Sequence, residues 1–151
     1  MRGKDVDFGI LILRLGVGGI LLFYGCQKML GLFAGHGFSG TVHGMEKMGF
    51  APILGTLSIF AEFFGSLGLI TGTLTRVAAF GVAVNMAVAT WVMTKQPDLF
   101  RNVFVFGEQG NYKDFAYPLL LCLGALALVF TGGGRFALDA RLFGKRAAKK
   151  S

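Results

Sequence analysis

The chain has 151 residues, 54% of them hydrophobic, with 24 glycines and a mean hydropathy of +0.63. Long apolar runs with glycines inside them exclude an ordinary soluble domain and predict a single all-α membrane domain over residues 1–151, with no length left for a second. The net charge of +7 does not predict a nucleic-acid partner, because six of the fifteen basic residues follow Thr131, where they read as a topology signal for the bilayer.

The first apolar run, residues 8–30, follows Arg2, Lys4, Asp5 and Asp7 and ends in Gln27-Lys28. It is longer than a signal-peptide core, contains Arg14 and lacks a small-x-small cleavage site, so it is expected to remain attached as span one. Gly9 and Gly16 stand seven residues apart, as do Gly18 and Gly25; each pair returns to nearly one helix face and predicts a close helix contact. Residues 31–50 are too polar to span. Phe38, Val42, Met45 and Met48 recur there at helical spacing, predicting a short amphipathic helix that lies on the membrane surface or roofs the bundle.

Span two is expected over residues 51–72, with Pro52 in its first turn, and span three over residues 76–93, with Trp91 near its end. The short turn between them makes them antiparallel neighbours. A polar connection over residues 94–114 leads to span four, residues 115–131, with Tyr112 and Tyr117 as interfacial anchors at its entry. Gly132-Gly133-Gly134 ends that span, and a basic tail over residues 135–151 follows, in which Asp139 can pair with Arg135 one helical turn away. The architecture expected is an integral membrane four-helix bundle with the amphipathic helix between spans one and two. The N-terminus, the span two to three turn and the tail carry nine basic residues, against Lys28, Lys47, Lys95, Arg101 and Lys113 on the opposite side. Both termini are therefore expected in the cytoplasm.

The chemistry is sparse and sits in the apolar runs. Glu62 lies in the middle of span two, where an ionised group costs at least about 2.5 kcal/mol without a partner. Arg14 is a cation inside another apolar run, so the expectation is that Arg14 and Glu62 meet in the membrane, with Asn85 of span three in the same polar layer. Two readings stay open for that layer: a ligand or redox-cofactor site, or a buried ion pair that sets helix register. Gln27, Lys28, His36 and Glu108 fall on one side of the membrane by this topology and are candidates for a polar mouth over the bundle, against the plainer reading of solvated loop charges. His36 and His43 come with no recognisable metal or haem ligand set, and Cys26 and Cys122 read as packing thiols.

An arginine early in span one with Gly25-x-Gln27-Lys28 at its end, the loop FAGHGFSGTVHGMEKMGFAP, the stretch AEFFGSLGLITGTLTR and the closing YPLLLCLGALALVFTGGGRFALD together resemble the DoxX family of small four-helix membrane proteins. Arg14, Gln27, Lys28, Glu62, Arg76 and Glu108 match recurrent polar positions of that family; Gly133 departs from it where proline is frequent. The resemblance implies a membrane subunit of, or accessory to, a quinone-linked oxidoreductase of the cell inner membrane, with a quinone as ligand and a protein partner in a complex. No haem, flavin or metal motif accompanies it, so electrons would enter through the partner. The competing expectations are a non-catalytic anchoring subunit and a small carrier of a lipophilic or sulfur-containing solute.

Overall fold

The computed structural model of the chain describes residues 2–95 and 116–140. The 94–114 connection beyond Lys95, including Glu108 and Tyr112, and the tail beyond Ala140 lie outside the described residues. Five helices and no strand are found among those described: α1 (Arg2–Leu30), α2 (Gly37–Lys47), α3 (Pro52–Thr71), α4 (Thr75–Lys95) and α5 (Ala116–Thr131). The protein is an all-helical integral membrane bundle, as the apolar runs predict.

The helix ends follow local chemistry. Pro52, which has no amide N–H to leave unsatisfied, takes the first turn of α3 behind an extended Ala51. At the other end Gly72 adopts the left-handed conformation, φ 74°, and its N–H donates to the Gly68 carbonyl. Only glycine enters that region freely, so the chain reverses there and α4 begins three residues later. Gly132, φ 71°, ends α5 in the same way, its N–H donating to the Leu128 carbonyl.

α1, α3, α4 and α5 pack in a ring, each antiparallel to its neighbours, and α2 lies against α1 and α3 at the end where α3 begins. Glycines set the closest approaches. A Cβ on Gly25 would stand 2.9 Å from the Phe63 Cα, and one on Gly18 would stand 2.8 Å from the Ile70 side chain, so α1 and α3 touch nearly backbone to backbone. The predicted Gly18/Gly25 face is thus a helix contact. The Gly9/Gly16 face is not: nothing approaches within 4 Å of a Cβ at either position, and both glycines are exposed on the outside of the ring.

The interior is filled by Val17, Leu21, Leu69, Ala79, Val82, Met86, Leu121, Ala125 and Leu128. Outside, Ile12, Leu57, Phe64, Phe80, Val84, Val88, Leu120 and Phe130 are exposed. α1, α3 and α4 are each long and apolar enough to cross a membrane, yet at most 33% of any spanning window is buried within the protein. Helices that are apolar all round and mostly unburied are solvated by hydrocarbon, not water. α5, at 16 residues, is apolar but shorter.

One feature of the packing differs from the simplest expectation. If Leu30 of α1 stood level with Pro52 of α3, Gly25 would face Leu57; it faces Glu62 and Phe63 instead. The stagger of five to six residues, roughly 8 Å at the helical rise, leaves the first turn and a half of α3 projecting beyond α1. α2 fills that step, with Met45 and Val42 against Gly55 and the Phe38 ring 6.3 Å from that of Phe60. The amphipathic stripe therefore roofs the bundle.

Candidate functional site

The polar residues form two clusters at different heights. The stagger decides which residue meets which.

The first cluster is built around Arg14, which is 1% exposed. Its Nε donates to the Leu69 carbonyl at 2.8 Å, Nη2 to the Ile70 carbonyl at 3.0 Å and Nη1 to the Gly133 carbonyl at 2.6 Å. Leu69 and Ile70 lie in the last turn of α3, whose carbonyls have no partner within the helix and carry the negative end of its dipole. Arg14 is thus a C-terminal cap for α3, supplied from α1, and it ties in the segment after α5. Asp139 completes the lock from the other direction. Its carboxylate accepts from the N–H groups of Leu74 and Thr75, each at 2.8 Å, and from the Thr75 hydroxyl at 3.1 Å, capping the start of α4. Burial raises the Asp139 pKa, but those two amides, the hydroxyl and the nearby Arg14 guanidinium outweigh it and hold the carboxyl below its usual value. The expected pairing of Asp139 with Arg135 is not what forms, because the first unpaired amides of α4 are the better donors.

The second cluster is built around Glu62, which is 3% exposed. Its partner is not Arg14. Lys28 Nζ lies 2.6 Å from Glu62 Oε1, and Asn85 Nδ2 donates to the same oxygen at 3.0 Å. Sequence reasoning missed this pairing because it placed Lys28 at the bundle mouth by assuming flush helices. The stagger carries the end of α1 down to the middle of α3, so Lys28 reaches Glu62 and Arg14 reaches only the last turn of α3. The signal that could have found it is the Gly18/Gly25 face, which fixes the register of α1 on α3. The expected Glu62–Asn85 contact is present.

Glu62 Oε2 is buried and, among the described residues, has no hydrogen-bond partner. A carboxylate buried with one oxygen saturated and the other empty is costly, on the order of 1–3 kcal/mol for the missing bond. Chemically, that oxygen can accept a proton or a hydrogen bond from a hydroxyl, or donate when protonated. Each long helix brings a polar side chain to this end: Tyr24 and Lys28 from α1, Glu62 from α3, Asn85 from α4 and Tyr117 from α5. The Tyr24 and Tyr117 rings meet across the α1–α5 contact with centroids 5.8 Å apart, so Tyr117 turns onto a neighbouring helix besides marking the entry to α5.

The remaining expected mouth residues stand apart. Gln27 turns to the loop, its Nε2 donating to the Phe33 carbonyl at 3.3 Å. His36 is exposed at the N-terminal cap of α2 and makes no side-chain capping bond. His43 faces Glu46 on the exposed side of α2 at 3.5 Å. Among the described residues no group of three or more His, Cys, Asp or Glu side chains could hold a metal ion.

Comparisons with known proteins agree with this architecture. The chain is 29% identical over 143 residues to the inner membrane protein YqjF of Escherichia coli (strain K12), covering 95% of this chain and 98% of that protein. No solved structure matches. Residues 9–95 match the DoxX family model; that segment holds α2, α3 and α4, most of α1, and the whole Lys28–Glu62–Asn85 cluster. The chain belongs to the DoxX family.

Proposed function

We propose that this chain is an inner-membrane subunit of a quinone-linked oxidoreductase, and that Lys28, Glu62 and Asn85 hold the quinone or a similar lipophilic headgroup within the bundle. The observation that carries this reading is the unpartnered, buried Glu62 Oε2 beside two donors fixed on Oε1. Quinone reduction takes up two electrons and two protons. The two electrons come from a partner redox subunit. Glu62, once protonated, gives one proton to a ring oxygen and returns to the carboxylate, whose Oε2 then accepts a hydrogen bond from the hydroquinone hydroxyl so formed. The second proton reaches the other ring oxygen from water at the membrane face. Asn85 keeps the carboxylate oriented. Arg14 is removed from the ligand set, since its three donor nitrogens are all engaged with carbonyl oxygens.

The name of the Escherichia coli relative supports placement in the inner membrane. The distribution of basic residues supports cytoplasmic termini and four crossings, with α2 and the Lys28 end of α1 toward the outer side. In that orientation the headgroup site lies nearer the external face, and its ligand is one that partitions into the bilayer.

The test is binding of a short-chain benzoquinone to the protein in lipid nanodiscs, followed by calorimetry. Wild type and Arg14→Lys are expected to bind with similar affinity, while Glu62→Gln and Lys28→Met lose at least tenfold, the equivalent of about 1.4 kcal/mol. A folded Glu62→Gln protein with wild-type affinity would overturn the assignment.

A further inference from the structure

Arg76, just past the α3–α4 turn, is a charged residue that neither cluster uses. Its Nη2 donates at 3.3 Å to the carbonyl of Phe130, in the last turn of α5, and its side chain packs on Gly132, where a Cβ would stand 3.3 Å from Nε. These contacts hold the guanidinium at the wall of an open cleft of about 490 Å³ between the start of α4 and the glycines that end α5. Arg76 is exposed, and among the described residues that is its one hydrogen bond, which leaves most of its N–H donors for a ligand. Asp139 also lines the cleft, but both of its oxygens accept bonds from the start of α4 and the Arg14 guanidinium is nearby, so the charge that the cleft presents is that of Arg76.

A second hollow, about 270 Å³, adjoins the first, and Leu74 and Val77 line both. It is a groove between α3 and α4 lined by the small residues Ala61, Gly65, Gly68, Ala78 and Gly81. From Leu74 to Gly81 it runs seven residues, roughly 10 Å, away from the turn and along the hydrocarbon-facing surface, where Phe64 and Val77 are exposed. A guanidinium held at one end and an apolar trough leading from it into the bilayer match the two parts of one molecule, a phosphate and an acyl chain.

We infer that cleft and groove together bind an anionic phospholipid, its phosphate on Arg76 and an acyl chain in the groove between α3 and α4. The occupant is a lipid and not a second copy of this chain, because the groove continues the surface that already faces hydrocarbon and starts at a cation, where a phospholipid carries its phosphate. Lys4 and Arg135 stand at this same end of the bundle, which favours a lipid of net negative charge over a zwitterionic one. Capping of α5 explains the bond to Phe130 but neither hollow.

The test delipidates the full chain, reconstitutes it with an equal mixture of phosphatidylglycerol and phosphatidylcholine, and identifies the retained lipid by native mass spectrometry. Wild type is expected to retain phosphatidylglycerol about fivefold over phosphatidylcholine, the value of one basic residue at an anionic surface. Arg76→Gln should lose that preference and Arg76→Lys should keep most of it. Gly81→Leu, whose Cβ meets nothing within 4 Å, fills the groove without a clash and should lower retention of both lipids, whereas Gly16→Leu, equally open but on α1 outside the groove, should not. Equal retention of the two lipids by wild type, an unchanged preference in folded Arg76→Gln, or wild-type retention by Gly81→Leu would overturn the inference. The first and last of these readouts stand even if Arg76→Gln fails to fold. A dimer without bound lipid, dispersed by Gly81→Leu, would assign the groove to a second copy and overturn it equally.

Discussion

The partnership between Lys28 and Glu62 can be measured by thermodynamic cycles, with Arg14 as the internal control. Lys28→Met leaves a carboxylate that is 3% exposed with Asn85 alone, and Glu62→Gln leaves a lysine ammonium whose side chain is 19% exposed. Removing Lys28 should cost about 3–5 kcal/mol, because the buried carboxylate is stranded, whereas Glu62→Gln should cost less, because Lys28 is part-exposed and keeps a further interaction. The double variant has no stranded charge, so it should recover about 1.5–3 kcal/mol of the summed single losses, more than the roughly 0.6 kcal/mol average of neutral hydrogen bonds inside membranes. Arg14→Met should also be severe, on the order of 3 kcal/mol, since three charge-assisted bonds to carbonyls are lost. Its loss should nevertheless add to that of Glu62→Gln within about 0.5 kcal/mol, because Leu69 is seven residues, roughly 10 Å, beyond Glu62 along α3. The assay is reversible unfolding in mixed micelles by increasing SDS fraction, followed by helical circular dichroism and Trp91 fluorescence. Strong coupling between Arg14 and Glu62, with additivity between Lys28 and Glu62, would refute the register described here.

Gly25→Ala should cost about 1–3 kcal/mol in the same assay, because its Cβ would meet the Phe63 backbone at 2.9 Å, whereas Gly16→Ala, with nothing within 4 Å, should be neutral or slightly stabilising. Asp139→Ala should cost about 1 kcal/mol at neutral pH, as for a lost N-cap. Since the folded-state pKa of Asp139 is lowered, its stabilisation is fully present above the unfolded value, near 4, and is lost as pH falls through the folded value; the variant should lack that acid-dependent loss, and an identical acid profile would rule out the cap. In a background with Cys26 and Cys122 replaced by alanine, a membrane-impermeant maleimide added outside intact cells should label Ser39→Cys and spare Lys4→Cys; the reverse pattern would invert the proposed orientation.

Much of the fold was legible because the bilayer enforces it. An apolar run of about 20 residues can only be a helix there, and Pro52, Gly72 and Gly132 mark helix ends by backbone chemistry that does not depend on packing. Periodicity found α2 for the same reason. What could not be read was the axial offset of α1 on α3, since hydrophobicity is uniform along a membrane helix and sets no register. Both mispairings around Glu62 follow from that offset: without it, Arg14 is matched to Glu62 and Lys28 stays in the mouth. The glycine faces carry register information, but half of it points outward, as Gly9 and Gly16 do, and nothing in their spacing distinguishes them from Gly18 and Gly25. Asp139 was mispaired because a carboxylate beside an arginine in sequence suggests a local ion pair, while the amides of Leu74 and Thr75 lie more than 60 residues away.

The contrast between the two clusters bears on where function resides. At the Arg14 end, each donor nitrogen of the guanidinium reaches a carbonyl, and Asp139 returns the favour to α4 with both of its oxygens engaged. An arrangement so fully satisfied has little capacity to bind anything further and a clear structural task, holding the α3–α4 turn between α1 and the segment after α5. At the Glu62 end the same chain places an equally buried ion, and among the described residues only one of its two oxygens has a hydrogen-bond partner. Stability alone would favour glutamine, or an apolar residue with Asn85 and Lys28 changed to match, since replacing a buried pair by packed apolar groups is often neutral or stabilising. An unsatisfied buried carboxylate is therefore a cost that packing does not explain; this is the ground for the headgroup proposal, in which a hydroquinone hydroxyl donating to Oε2 would supply the missing partner.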